Sequence, residues 1–183
     1  MSQQNIHFGI TEFKEIAPGV MVPISYQHWE PLVDYFLSLS NRFSIHCWNE
    51  EVDSINSIKP YAERFEVKQL DDNLVSAVSD ALATSLNRFE KMREQGKHGF
   101  KEGMAILEGN INTDFKAELL THSLDKYGRL QWFYVLLKDN DTTIFSSEHY
   151  GTEFVAFGVT EEDIVFIQSV MPKDASFNIY TYS

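Results

Sequence analysis

The 183-residue sequence is poor in the residues that announce a chemistry. It holds one cysteine, so the chain cannot form an internal disulfide and offers no cysteine pair at metal-binding spacing. Its six histidines fall into no HExxH or HxH arrangement, and no papain-like or caspase-like signature surrounds the cysteine. Long apolar runs are missing: WFYVLL at 132–137 is far short of the ~20 residues that span a bilayer. The opening MSQQNIHFGITEFKEI lacks the basic segment and apolar core of an export signal. An unexported protein of the reducing cytoplasm is expected. Positive charge is scarce too, with 15 Lys and Arg against 27 Asp and Glu for a net charge of −12. Such a chain repels nucleic-acid phosphates and anionic membranes, and it draws cationic partners by long-range steering.

Apolar and aromatic residues are plentiful. A hydrophobic fraction of 43%, with 14 Phe, 8 Tyr and 3 Trp, excludes a disordered acidic tail, because that much apolar surface gains more from burial than ordering costs. A chain of this length buries roughly 70% of its unfolded surface. A single domain over 1–183 is expected, with two lobes joined by the glycine-rich stretch at 95–103 (Gly96, Gly99, Gly103) as the alternative. That stretch has no GK[ST] signature and does not read as a phosphate cradle.

Periodicity predicts the elements. Ile6, Phe8 and Ile10 alternate as in a strand, and Pro18-Gly19 and Pro23 interrupt the chain after it. A helix follows Pro31, with Leu32, Phe36 and Leu39 as its inward stripe. Phe43, Ile45 and Cys47 mark a strand, Val52–Ile58 a short helix or irregular stretch, and 64–69 a further strand. The clearest period of three and four predicts a long amphipathic helix at about 72–95, opened by Asp71-Asp72. Beyond it come a helix opened by Asn112-Thr113, strands at 130–137, 142–147 and 154–157, a helix at 161–170 capped by Thr160 and Asp163, and a terminal strand. The fold class is α+β, an antiparallel sheet packed against the long helix and shorter ones. An α/β arrangement of the first half is the alternative.

Candidate chemistry is sparse. His46 and Cys47 are adjacent in a strand and point to opposite faces, so Cys47 is expected to be a buried structural residue. Glu148, His149 and Glu153 in SSEHYGTEF form a loose group for which a solvated turn is expected, and no metal or other cofactor is assigned. Glu161, Glu162 and Asp163 complement a helix dipole, and no two carboxylates stand out as an acid–base pair. Arg88, Lys91, Arg93, Lys97 and Lys101 outnumber Glu90 and Glu94 and make 86–101 locally +3, which leaves −15 elsewhere. That remainder opposes nucleic-acid binding, and Trp132, Phe133 and Tyr134 belong to a core strand.

What is left is clustered acidity. Glu50, Glu51 and Asp53, with Trp48 beside them, and Asp139 and Asp141 are the expected partner-binding residues. The expected function is an acidic protein-binding inhibitor of the immunity-protein type, which covers the active site of a cationic toxin domain such as a nuclease. A metal- or thiol-dependent hydrolase and a regulatory adaptor are the alternatives.

Overall fold

The structure, a computed structural model, describes residues 3–69 and 103–182. Along the chain it forms β1 (Gln3–Gly9), β2 (Phe13–Ala17), β3 (Val20–Pro23), α1 (Trp29–Ser38), β4 (Arg42–Trp48) and α2 (Val52–Ile58). A 3-10 turn at Lys59–Tyr61 leads to β5 (Arg64–Gln69). Then come β6 (Gly103–Asn110), α3 (Thr113–Thr121), β7 (Tyr134–Asp139), β8 (Thr142–Glu148), β9 (Glu153–Val159), α4 (Glu161–Val170) and β10 (Ser176–Tyr182). The expected long helix at 72–95, and the connection at 95–102, lie outside the described residues.

Eight strands form one sheet in the order β10-β1-β9-β8-β7-β4-β6-β5, and every pairing is antiparallel. The fold is therefore α+β, and the α/β alternative for the first half does not hold among the described residues. The remaining strands, β2 and β3, pair only with each other. They turn at Gly19, whose φ of +76° suits a residue without Cβ and whose N–H donates to the Glu15 carboxylate at 2.7 Å. The Pro18-Gly19 break is the tip of a hairpin.

Register explains the core. The pairs Ile6–Ala156, Ala156–Phe145, Phe145–Leu137, Leu137–Phe43 and Phe43–Gly109 run across the sheet as one buried row. Phe8, Phe154, Val135, Ile45 and Leu107 belong to the neighbouring row. The apolar faces of the four described helices pack on these rows, with Phe36 stacked on Phe145 at 4.5 Å between centroids and Phe43 on Phe115 at 3.9 Å. Trp29 is buried and its indole N–H donates to the Leu119 carbonyl, tying α1 to α3. Leu39, expected to face inward, is 49% exposed: α1 ends at Ser38, and Leu37 takes the buried position.

Local signals set most boundaries. The Asn112 side chain accepts from the Phe115 N–H, and Thr160 with Asp163 forms a full capping box at the start of α4. Strand β7 begins at Tyr134 rather than Leu130, because Leu124 and Leu130 instead bridge to close a loop. Strand β6 has no expected counterpart, since Met104 and Ile106 on one face and Ala105 and Leu107 on the other erase the polar–apolar alternation. No described helix is long and apolar enough to cross a membrane.

Candidate functional site

Strand β4 delivers its end, and the residues after it, to one end of the sheet. Phe43, Ile45 and Cys47 are buried against the helices, and Ser44, His46 and Trp48 face the other way. Burial pushes the Cys47 thiol up, which suits a core residue and not a nucleophile. His46 is pushed down to about 4 by burial, and its Nε2 lies 3.0 Å from Ser44 Oγ. The adjacent cysteine and histidine are thus separated by the sheet. Trp48 is half-buried, tilted against Phe133 at 5.1 Å, and its indole N–H finds no acceptor among the described residues.

Past Trp48 the chain turns into α2, and the three acids there divide into two kinds. Glu50 and Asp53 are exposed. Glu51 folds back: one carboxylate oxygen accepts from the Trp48 N–H at 3.1 Å, and the other accepts from Arg129 Nη2 at 3.0 Å and from the Tyr150 hydroxyl at 2.7 Å. Arg129 also donates from Nε to Asp125 at 3.2 Å and lies over the Tyr150 ring, 3.9 Å from its centroid. Burial would lower the guanidinium, but Tyr150, Glu51 and Asp125 outweigh it and hold the charge.

Asp125 organises its own loop by accepting from the N–H groups of Tyr127 and Arg129, at 2.8 and 2.9 Å. Burial raises the Tyr26 hydroxyl to about 12, and it donates to the Tyr150 carbonyl at 3.0 Å. Neither Arg129 nor Tyr150 was singled out from sequence. They are 78 and 99 residues from Glu51, and no local pattern couples them.

Between α2 and the 124–129 loop lies a cleft of about 400 Å³. Glu50, Glu51, Asp53 and Asp125 line it, opposed by Lys126 and by Arg129, whose charge is already taken up by Glu51 and Asp125. Its rim is apolar as well as acidic, with Val52 56%, Leu124 44% and Tyr127 66% exposed. Tyr127, rather than the half-buried Trp48, is the exposed aromatic of this cleft.

The other expected cluster is elsewhere. In the β4–β7 register Arg42 pairs with Lys138 and His46 with Tyr134, so Asp139 and Asp141 stand at the opposite end of the sheet from Glu50. The seven residues of β4 separate the two by roughly 20 Å. At that far end Asp139 accepts from the Asn41 and Asn140 side chains, at 3.4 and 3.2 Å.

A second group shares the cleft end of the sheet. Glu148 and Glu153 close the β8–β9 ladder as a directly opposed pair, and His149, Tyr150 and Gly151 between them have φ of 50°, 59° and 73°. This left-handed run brings His149 Nδ1 to 3.2 Å from Glu153 Oε2. The segment is the expected turn, with Glu153 exposed, and ligand atoms of Glu148, His149 and Glu153 lie within 4.8 Å of one another on it. The His149 hydrogen bond holds the Glu153 carboxyl below its ordinary range against the effect of burial.

No protein-family model, curated protein or solved structure matches the chain.

Proposed function

We propose that the chain is an acidic protein-binding inhibitor acting in the cytoplasm, an immunity-type protein that captures a cationic toxin domain, and that its docking surface is the cleft between α2 and the 124–129 loop. The observation that carries this assignment is the division of labour among the acids. Glu51 and Asp125 are spent on Arg129 and fix the floor, and Glu50 and Asp53 remain exposed on the rim beside Val52, Leu124 and Tyr127. A partner's arginine or lysine entering there meets the exposed, uncommitted carboxylates of Glu50 and Asp53 above a floor that Arg129 has already neutralised and fixed. The apolar rim excludes water around the charged contact, the arrangement in which such contacts dominate affinity.

The surface is selective by charge. Nucleic acids and anionic membranes are repelled by it, whereas a basic nuclease surface, built to hold phosphate, is attracted and then covered. Asp139 and Asp141, at the far end of the sheet, are not part of this contact.

The test is co-expression with the product of the adjacent reading frame. Copurification at equal stoichiometry, with loss of the partner's activity, supports the assignment. A neighbour that neither binds nor loses activity, together with the presence of an activity in the isolated chain, overturns it in favour of an enzyme.

A further inference from the structure

We infer that Glu148, His149 and Glu153 form a binding site for a first-row divalent transition ion, which clamps the β8–β9 turn. Three observations carry the inference. First, the donors are mixed. One imidazole and two carboxylates, with ligand atoms within 4.8 Å of one another, suit zinc, cobalt or manganese better than calcium, which prefers an all-oxygen shell. The 3.2 Å between His149 Nδ1 and Glu153 Oε2 is already the spacing of two neighbouring ligands on an ion, since bonds of about 2.1 Å at tetrahedral or octahedral angles place them about 3.0–3.4 Å apart. The remaining separation among the three ligand atoms, at most 4.8 Å, is what an ion would draw in.

Second, the two glutamates are the directly opposed last pair of an antiparallel ladder, a position where like charges repel. Among the described residues no lysine or arginine forms an ion pair with either of them, and the His149 ring nitrogen is the hydrogen-bond partner of Glu153. A divalent ion neutralises both carboxylates at once.

Third, the surroundings hold the donors as outer-shell groups hold ligands. Ser146 Oγ donates to Glu148 Oε1 at 3.0 Å and leaves Oε2 for an ion. Phe133 and Tyr134 flank the His149 ring with centroids at 5.3 and 5.7 Å. The backbone adopts left-handed conformations at His149 and Tyr150, both disfavoured for residues with a Cβ, and so folds the ring back over the carboxylate pair. With three protein ligands the ion keeps one or more positions for water. Its role is to join the start, tip and end of the turn.

The experiment is calorimetric titration of zinc into the tag-free full chain, with cobalt absorption as a second readout. One equivalent is expected to bind saturably. His149→Ala and Glu153→Gln should each weaken binding by about tenfold or more. His122→Ala should leave it unchanged, because the His122–Glu118 pair has the same four-residue spacing but a single carboxylate. Melting temperature should rise by about 5–10 °C at a hundredfold excess over Kd in the parent and not in His149→Ala, and circular dichroism of each variant checks folding. Absence of saturable binding overturns the inference. So does binding that survives both His149→Ala and Glu153→Gln, or that His122→Ala abolishes. The titration needs no protein partner, so its outcome is independent of the docking surface.

Discussion

The guanidinium of Arg129 lies 3.9 Å from the centroid of the Tyr150 ring, and both side chains end on the same oxygen of Glu51. Three segments distant in sequence, the β4–α2 connection, the 124–129 loop and the β8–β9 turn, are thereby fastened at one half-buried point. Arg129 satisfies two carboxylates and one aromatic face, which no single apolar residue could do.

Removing Arg129 therefore leaves Glu51 and Asp125 facing each other without a cation. Arg129→Ala is expected to cost about 2–3 kcal/mol in denaturant unfolding. Lys126→Ala, an exposed change in the same loop, should stay within about 0.5 kcal/mol. A double-mutant cycle with Glu51→Gln should return a coupling of about 1 kcal/mol or more, and additivity would remove the pair from this role.

Acid should weaken the fold before its carboxylates titrate. Burial lowers both His28 and His46 from 6.5 to about 4, so both stay neutral in the folded chain while the unfolded chain takes up protons below 6.5. Stability is then full above pH 6.5 and falls as pH drops towards 4, by up to roughly 3 kcal/mol for each histidine. His28, 2% exposed and with no hydrogen-bond partner for Nε2 among the described residues, should give the cleaner effect. Unfolding curves at several pH values check this, with His28→Gln expected to flatten the slope.

Gly109 sits where a side chain has no room. A Cβ there would stand 2.6 Å from the Tyr61 carbonyl and 3.0 Å from the Phe43 ring, and that ring is held in place by its stack on Phe115. Gly109→Ala should destabilise the chain by about 1–3 kcal/mol. Gly128→Ala offers a contrast: nothing lies within 4 Å of its Cβ, and the cost there comes only from its φ of +77°.

Charge reversal tests the docking surface without touching the floor beneath it. Glu50→Lys with Asp53→Lys should slow association with the proposed cationic partner by about tenfold at low salt and much less at high salt, measured by stopped-flow fluorescence. Melting temperature should scarcely move, since both residues are exposed. The same reversal at Asp139 and Asp141 should leave the rate nearly unchanged.

Where a residue's environment is set by its near neighbours in the chain, the sequence was legible. The capping box at Thr160 and Asp163 placed α4 at its observed bounds, and alternation correctly sent Cys47 inward with Phe43 and Ile45. Strand β6 escaped notice because it is apolar on both faces. The hairpin of β2 and β3 escaped it because β2 is exposed throughout and the four residues of β3 run from exposed to buried, so neither strand alternates. The site was half legible. Glu50 and Asp53 were visible as a charge cluster, whereas the reversal of Glu51 into a structural carboxylate depends on Arg129 and Tyr150, which only the tertiary fold brings near.

Strand β1 is flanked by β9 and β10, so it pairs on both sides with strands made well over a hundred residues after it. During synthesis its two ladders of amide and carbonyl groups have no native partners until residues 153–182 have emerged. Ile6 and Phe8, buried in the finished core, must wait with them. The central strands β4, β6 and β7 can pair sooner. A ribosome-bound chain is thus expected to hold a partial sheet with β1 still unpaired, and completion of the sheet is expected to await the insertion of β1 between β9 and β10.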